Sequence, residues 1–466
     1  MTRQPGIRER LGCRLVRVRV RVALAFALLT GLAGGACDRR DPVAAGAPGV
    51  RLELWTLALR PHFTDYMTGL VEGFEQTNPG IDVVWVDVPF DAVQRKFIAA
   101  AAAGRSPDVV NLSDQFFARF TALGGLADLS GQLPGDPKAV YLPGALRLCE
   151  LDGGLYGLPW YLATPIMFCN AGLLAEGGLS GEALADDWPG FVAQARAYHE
   201  RTGKFLFCPL LGQETELPLW LVEAGLPLFV PHPSGDGLKA NLTDPSIVAF
   251  VGQWVDAYRA GAFPRAAATQ GHAGKIDLFQ NGQVATLITS AGFMQRIRDA
   301  APTVYAQTTI RPPPTFAPGR HPIETMVLAV SSRSKHPREA AALAWHLTSH
   351  DSQLAFCRIV NILPSTRRTL DDPLFAAPPP DEAATDAGRL AAARHLAAEQ
   401  MRHATSFVPA LSTWPQLRDA FGERIKSALL DGKDVSATLA EIEWEWQAIL
   451  DSAVPASLAA LPKAGR

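Results

Sequence analysis

The side chains of this 466-residue chain that could do chemistry are aromatics and scattered carboxylates, not an assembled catalytic set. There is no His-Glu-x-x-His helix, no Gly-x-Ser-x-Gly turn and no phosphate loop ending in Gly-Lys-Ser/Thr. Asp186-Asp187 precede Trp188-Pro189, and Pro favours the first helical turn, so the pair reads as a helix N-cap. Asp371-Asp372 before Pro373 reads as a turn. Glycosidase carboxylates face each other from different elements, a pairing that one sequence neither shows nor excludes. The aromatics say more. Trp55 closes a strand-like segment, Trp160 and Tyr161 follow a Pro, Trp220 sits in a Pro-bounded apolar stretch, and Trp414 starts a helix after Pro409. An aromatic face packs on the apolar face of a sugar ring while polar neighbours fix its orientation. For any single Trp, a core position is the competing reading. Trp85, Trp254 and Trp345 lie in apolar-patterned elements and are assigned to core. Trp444 and Trp446, two apart on a helix, cannot share one face. No catalytic residue, metal ligand or cofactor is assigned.

The sulfur chemistry depends on compartment. Seven arginines (Arg3, Arg8, Arg10, Arg14, Arg17, Arg19, Arg21) precede the uncharged run Val22 to Leu32, and Gly-Gly-Ala leads to Cys37. A basic start, a short apolar run and small residues before a cut site make a secretory signal over residues 1–36. The run of 11 residues is shorter than the roughly 20 needed for a bilayer-spanning helix. A Cys directly after small residues marks lipid attachment at Cys37. The bacterial lipoprotein signal carries Leu three residues before its Cys, where Gly34 stands here, so plain secretion stays open. Asp38 resembles the inner-membrane retention signal of Gram-negative lipoproteins. Cys149, Cys169, Cys208 and Cys357 could be buried thiols or could form a disulfide in an oxidising compartment. None has metal-ligand spacing to a His or a second Cys.

The leader also hides a charge asymmetry. It holds seven Arg and one acid, Glu9, so the remaining 430 residues carry 36 basic against 45 acidic side chains, a net of -9. Such a chain lacks the positive footprint of nucleic-acid binding. Its length suits two or three domains. Residues 38–50 are small and Pro/Gly-rich and read as a flexible tether.

The elements that would position these side chains begin with the alternating strand at 51–55. A helix over 63–78, a strand over 81–88, a helix over 92–103 and a strand over 108–112 follow. This alternation predicts parallel crossover units and an α/β fold. Helices are predicted at 116–122, 189–201, 246–260, 276–281, 291–299, 337–348, 351–357, 386–403, 414–430 and 435–451. Short strands are predicted at 206–208, 284–288 and 326–331.

The segment Asp152-Gly-Gly-Leu-Tyr-Gly-Leu-Pro-Trp160 resembles the hinge-entering segment of extracellular solute-binding proteins of ABC importers, in the carbohydrate-type branch. Further stretches follow in that family's order. Phe74 to Val83 looks like its first helix and second strand, and Ala99 to Val110 like its second helix and third strand. Asp187-Trp-Pro-Gly-Phe191, Leu278 to Ala285, Val327 to Ala341, Ile362-Leu-Pro364 and Pro409 to Trp414 complete the resemblance over nearly all of 51–450. Departures are Cys169-Asn170 for the usual Tyr-Asn, Gln283 for a common Lys, and no acid in Thr56-Leu-Ala-Leu59.

The resemblance implies a two-lobed, periplasmic-binding-protein-like (class II) fold with a ligand cleft between lobes. Lobe one would comprise 51–160 and 324–366, lobe two 161–323 and 367–455, with 456–466 a tail and 37–50 the lipidated Cys and tether. It implies capture of a sugar or oligosaccharide and delivery to a membrane permease, by a monomer on the periplasmic side of the inner membrane. Expected ligand contacts are Trp55 and Thr56 at the first strand end, Asp114 and Gln115 after the third strand, and Trp160 and Tyr161 at the hinge. Ser290, Gly292 and Phe293 would meet ligand oxygens near a helix start. Glu324 and Thr325 would enter the return strand and Trp414 would stack from the final helix pair. Trp160 and Trp414 are the leading candidates and Glu324 the last. Alternatives are a phosphorylated polyol or other small solute as ligand, a sensor without a permease, or an exported glycan-active enzyme.

Overall fold

The computed structural model describes residues 49–453 except Phe90, Asp91, Asp152, Gly235, Asp236, Pro318, Ala383, Ala410 and Ser412. The expected signal segment, Cys37, the tether up to residue 48 and the tail lie outside the described residues. The described residues fall in one compact unit.

The first sheet grows from the parallel alternation read in the sequence. Strand β1 (Val50–Leu57) pairs in register with β2 (Ile81–Val88), from Val50 opposite Ile81 to Leu57 opposite Val88, and runs parallel to β3 (Val109–Ser113). The helices Thr64–Thr77 and Val93–Ala102 make the crossovers. Strands β4 (Gly157–Ala163) and β5 (Pro165–Asn170) follow, and only Thr164 separates them. A three-stranded sheet forms around β5, flanked antiparallel by β6 (Thr286–Ser290) and β7 (Thr308–Arg311). Strand β8 (Glu324–Val330) then returns to the first sheet, between β3 and β4, and the two-residue β9 (Leu363–Pro364) ends its far edge. The first sheet therefore reads β9-β4-β8-β3-β1-β2, mixed because β8 and β9 run against the other four strands.

Two buried apolar clusters accompany the two sheets. One draws on Leu52 to Trp160 and Val327 to Phe356. The other draws on Leu162 to Ile323 and Cys357 to Leu450. This is a two-lobed α/β architecture, and the chain passes between the sheets at Thr164, in the segment before Glu324, and after Pro364.

Local chemistry explains the element boundaries. Asp187 Oδ1 accepts from the Gly190 amide at 2.8 Å and caps the helix Trp188–Thr202, while Asp186 pairs with Arg311. Asp372 caps the short turn Pro373–Phe375. Gly203 and Gly432, both left-handed, close their helices. All four described cysteines are free and buried. Burial pushes the thiols of Cys169, Cys208 and Cys357 up to about 12 and that of Cys149 higher still, so they are inert.

The structure corrects the element reading in places. Residues 206–208 form no strand, only an isolated bridge between Phe205 and Val284. Strands β4, β5 and β7 and the helix Leu217–Glu223 went unrecognised. Trp85 and Trp345 are half-buried rather than core.

Candidate ligand cleft

The strand order brings most of the candidate residues to one edge of the first sheet. Strands β1, β2, β3 and β4 all end there, at Leu57, Val88, Ser113 and Ala163, and β8 starts there, with Glu324 opposite Ala163 and Met326 opposite Ser113. Open α/β sheets take their ligands outside these carboxyl ends. Pro165 opens β5 immediately beyond this edge and pairs with Ser290, the last residue of β6. Residues from both sheets thus converge near the β4–β5 crossing.

The loop after β1 is tied down from within. Trp55 is buried and its Nε1 donates to the Glu53 carboxylate. Thr56 is also buried. Its hydroxyl donates to Asp87 Oδ1 at 2.8 Å and accepts from Trp85 Nε1 at 2.7 Å. Asp87 accepts as well from the amides of Leu59 and Arg60, both at 3.0 Å, and the Arg60 guanidinium lies 4.0 Å from the Trp85 ring centre. Thr56 is therefore spent on the loop, and Trp55 offers little surface to a solute. Asp87 was missed because its role arises from register: β1–β2 pairing sets it opposite Thr56.

The two leading tryptophans are also corrected by packing. Trp160 is the extra residue of a β-bulge, since Met326 pairs with Tyr161 and Val327 with Pro159. It is 0% exposed, with ring centroids 5.2 Å from Tyr161 and 5.7 Å from Phe356. Its Nε1 lies beside the Tyr66 hydroxyl without the alignment of a hydrogen bond. Trp414 is 1% exposed at the start of the helix Trp414–Asp431, edge-on to Trp446 at 6.2 Å. Neither presents a face to solvent in this conformation. Trp444 is 75% exposed and Trp446 fully buried, as a spacing of two on one helix requires. Tyr161 keeps partial exposure beside Trp160. Thr325 is buried, and its hydroxyl donates to the Met326 carbonyl at 3.2 Å.

Glu324, ranked last from sequence, is the most telling group. Its side chain is exposed, yet desolvation by surrounding protein is the main cause that pushes its carboxyl up to about 7. Glu324 starts β8 at this sheet edge, opposite Ala163. Asp114 is the next cause, raising it by like-charge repulsion. Lys275 lowers it, Glu216 raises it and Arg418 lowers it, in decreasing order. Asp114 opens the helix Asp114–Ala122 directly after β3, and Gln115 is its second residue. The other three groups belong to the second cluster's elements. These influences on Glu324 thus come from elements of both clusters.

The second side of the cleft is a polar framework. Lys275, its side chain buried, pairs with Glu216 at 2.9 Å, and Glu216 accepts from the Leu210 amide at 3.1 Å. His272 opens the helix His272–Gln280. Its amide donates to Glu214 at 2.7 Å, and its Nε2 lies 3.3 Å from the Thr289 hydroxyl. Burial, then Lys275, holds this imidazole below its ordinary range, so it is neutral at pH 7. Phe293 meets the His272 ring edge-on at 5.3 Å, and the Arg296 guanidinium lies 5.8 Å from its centre. Beside them an open cavity of about 510 Å³ is lined by Gly292, Gln295, Arg296, Asp299 and Ala300. Lys275, Glu216, His272 and Arg418 were not found from sequence, because residues 59 positions apart, such as Glu216 and Lys275, carry no local signal. The described residues hold no group of three or more His, Cys, Asp or Glu placed for a metal ion. Chemically, the site offers carboxyls, amides, hydroxyls and partly exposed rings, a set suited to non-covalent capture of a polar solute.

Known proteins share this fold. The family described as bacterial extracellular solute-binding protein matches residues 60–354. A periplasmic-binding protein of Synechococcus sp. MITs9220, for which an oligosaccharide ligand has been suggested, is 32% identical with a TM-score of 0.78, covering 87% of this chain and 100% of that one. The GacH receptor of Streptomyces glaucescens, solved unliganded and with acarbose, is 19% identical with a TM-score of 0.67, covering 86% of this chain and 99% of that one. An uncharacterized lipoprotein encoded in the oleD 5′ region of Streptomyces antibioticus is 24% identical over 363 residues, 76% of this chain and 78% of its own.

Proposed function

The chain belongs to the bacterial extracellular solute-binding protein family, and on that premise we propose that it is the substrate-binding component of an ABC importer that captures a sugar or oligosaccharide. The observation that carries this reading is the convergence of strand ends from both sheets at the β4–β5 crossing, with Glu324 exposed at that edge. The proposed contacts are Asp114, Tyr161, Ser290, Gly292, Phe293 and Glu324. Carboxyl groups accept hydrogen bonds from sugar hydroxyls, and a partly exposed ring packs on the sugar's apolar face. The proposed lobes are 51–160 with 324–366, and 161–323 with 367–455. Ligand favours the closed arrangement by its differential affinity for it. The closed protein then docks on a membrane permease. Export through the leader and a lipid on Cys37 would hold the monomeric receptor near that permease at raised effective concentration.

The test is a thermal-shift and calorimetric screen of the mature protein against a library of mono- and oligosaccharides. A saturable rise in melting temperature with at least one saccharide, without its hydrolysis, is expected. No shift with any member overturns the sugar reading, and turnover of a member replaces it with the glycan-active enzyme.

A further inference from the structure

Strands β9, β4 and β8 are neighbours in the first sheet, and each carries the chain to or from the second cluster. Inside the sheet they hold one another: Leu363 lies opposite Leu162, and Glu324 opposite Ala163. Ser365 adds a buried clasp. Its hydroxyl donates to the Pro159 carbonyl at 2.5 Å, and its amide donates to Gln353 Oε1 at 2.7 Å. Beyond the sheet edge that mutual support ends. Strand β4 runs into β5, β8 is entered from the segment after β7, and the chain after β9 leaves for the turn Pro373–Phe375.

One stretch of chain, residues 386–405, takes hold of all three passages there. At the first, Gln400 Nε2 donates to the Pro165 carbonyl at 2.8 Å, one residue past Thr164. At the second, Thr405 brackets the approach to Glu324. Its amide donates to the His321 carbonyl at 2.9 Å, and its carbonyl accepts from the Ile323 amide at 3.0 Å. At the third, Asn361 accepts from Arg394 Nη1 at 3.0 Å and donates to the Leu390 carbonyl at 3.1 Å. The helix Asp386–Met401 that carries these groups is itself fixed in the second cluster. Ala393, Ala397, Ala398 and Met401 are buried there. Arg389 donates to the Tyr305 carbonyl at 3.0 Å, and Arg394 Nε donates to the Leu374 carbonyl at 2.8 Å. Gln400 is buried, so losing its bond to Pro165 would strand a polar group away from water.

A helix bonded to one passage would stiffen that passage alone. A helix bonded to three makes their bending a single event, because no passage can swing without straining the bonds at the other two. We propose that the helix Asp386–Met401, with Thr405, is the brace of the hinge, and that Gln400, Arg394 and Asn361 are positioning residues that set the balance between open and closed lobes. This inference rests on the lobe closure proposed above and adds the part that governs it. Solute affinity then depends on residues that never touch the solute, through the fraction of protein already in the binding-competent arrangement.

The experiment uses no solute. Spin labels on Glu72→Cys in the helix Thr64–Thr77 and Arg201→Cys in the helix Trp188–Thr202, both exposed sites, report the interlobe distance in the mature chain carrying Cys37→Ser. The four described native cysteines are buried and stay unlabelled. Asn361→Ala cuts the hold on the third passage and Gln400→Leu that on the first. Each is expected to widen the distance distribution by a similar amount, and the double variant to add less than the sum of the two, as parts of one network do. Hydrogen exchange gives the reading that general destabilisation would not produce. Asn361→Ala should speed exchange at least about threefold at the Ile323 amide, in the second passage, and Gln400→Leu likewise at the Ile362 amide, beside the third. Leu112 and Leu287, inside the two sheets, should stay unchanged. Should Asn361→Ala fail to fold, Gln400→Leu read at Ile362 decides alone. Effects confined to the passage that was cut, or distances unchanged in both variants, overturn the brace. The saccharide screen is blind to these readings, so capture of a sugar stands or falls separately.

Discussion

Glu223 shows how a single buried group sets the pH dependence of this molecule. It ends the helix Leu217–Glu223, is buried, and its Oε1 accepts from the Phe316 amide at 3.0 Å. Burial dominates and pushes its carboxyl up to about 7 from an ordinary value of 4.5; the amide and Arg320 oppose this only partly. Between those two values the unfolded chain has lost its proton and the folded chain still holds it. Stability therefore falls as pH rises through that window. The full difference amounts to about 3 kcal/mol above pH 7. Glu223→Gln keeps the acceptor for Phe316 and removes the ionisation. Thermal unfolding should show the variant melting a few degrees above wild type at pH 8 and level with it at pH 5. An equal gap at both pH values would mean that Glu223 ionises freely in the fold.

Among elements, the loop after β1 is where sequence and structure differ most usefully. A Thr at a strand end looks like a ligand contact. In-register β1–β2 pairing turns it inward, onto Asp87. The same carboxylate holds two successive backbone amides and fixes Ala58 at φ 51°, a left-handed position costly for a residue with a Cβ. Asp87→Ala removes three acceptor contacts at about 1 kcal/mol each, so a loss of roughly 2–3 kcal/mol is expected. Hydrogen exchange should locate the change, with faster exchange at Leu59 and Arg60 and little elsewhere. Uniform acceleration across the first sheet would show instead that the loop supports the whole sheet. The crossing strands were illegible for a related reason. Pro159 and Pro165 argue against central strands. The bulge at Trp160 and the place of Pro165 at a strand start absorb both. The amphipathic helices were read nearly to their ends, because the 3.6-residue period is local. Which carboxyl meets which across the cleft is a property of register and long-range packing, and no window of sequence contains it. That is why Trp160 and Trp414, conspicuous by type, are core and Glu324, unremarkable by type, is exposed at the sheet edge.

At the scale of the whole molecule, the two apolar clusters are joined by few strands. Only Thr164 separates β4 from β5, and the other passages precede Glu324 and follow Pro364. Each cluster buries its own side chains, and a solute held from both sides would become part of the connection. Ligand at about 100 times its Kd stabilises the bound form by ~2.7 kcal/mol. With an unfolding entropy of about 2.1 cal/mol/K per residue over some 400 residues, the melting temperature should rise by about 3 °C. Solution scattering should record a smaller radius of gyration in the same titration, with the same midpoint. Replacing Cys37 with Ser should move the protein from the membrane to the soluble fraction and leave both responses intact, because tether and cleft are separate parts of the chain. A ligand that raises the melting temperature without compaction would place capture within one lobe. Closure would then have to be driven by the permease rather than by the solute.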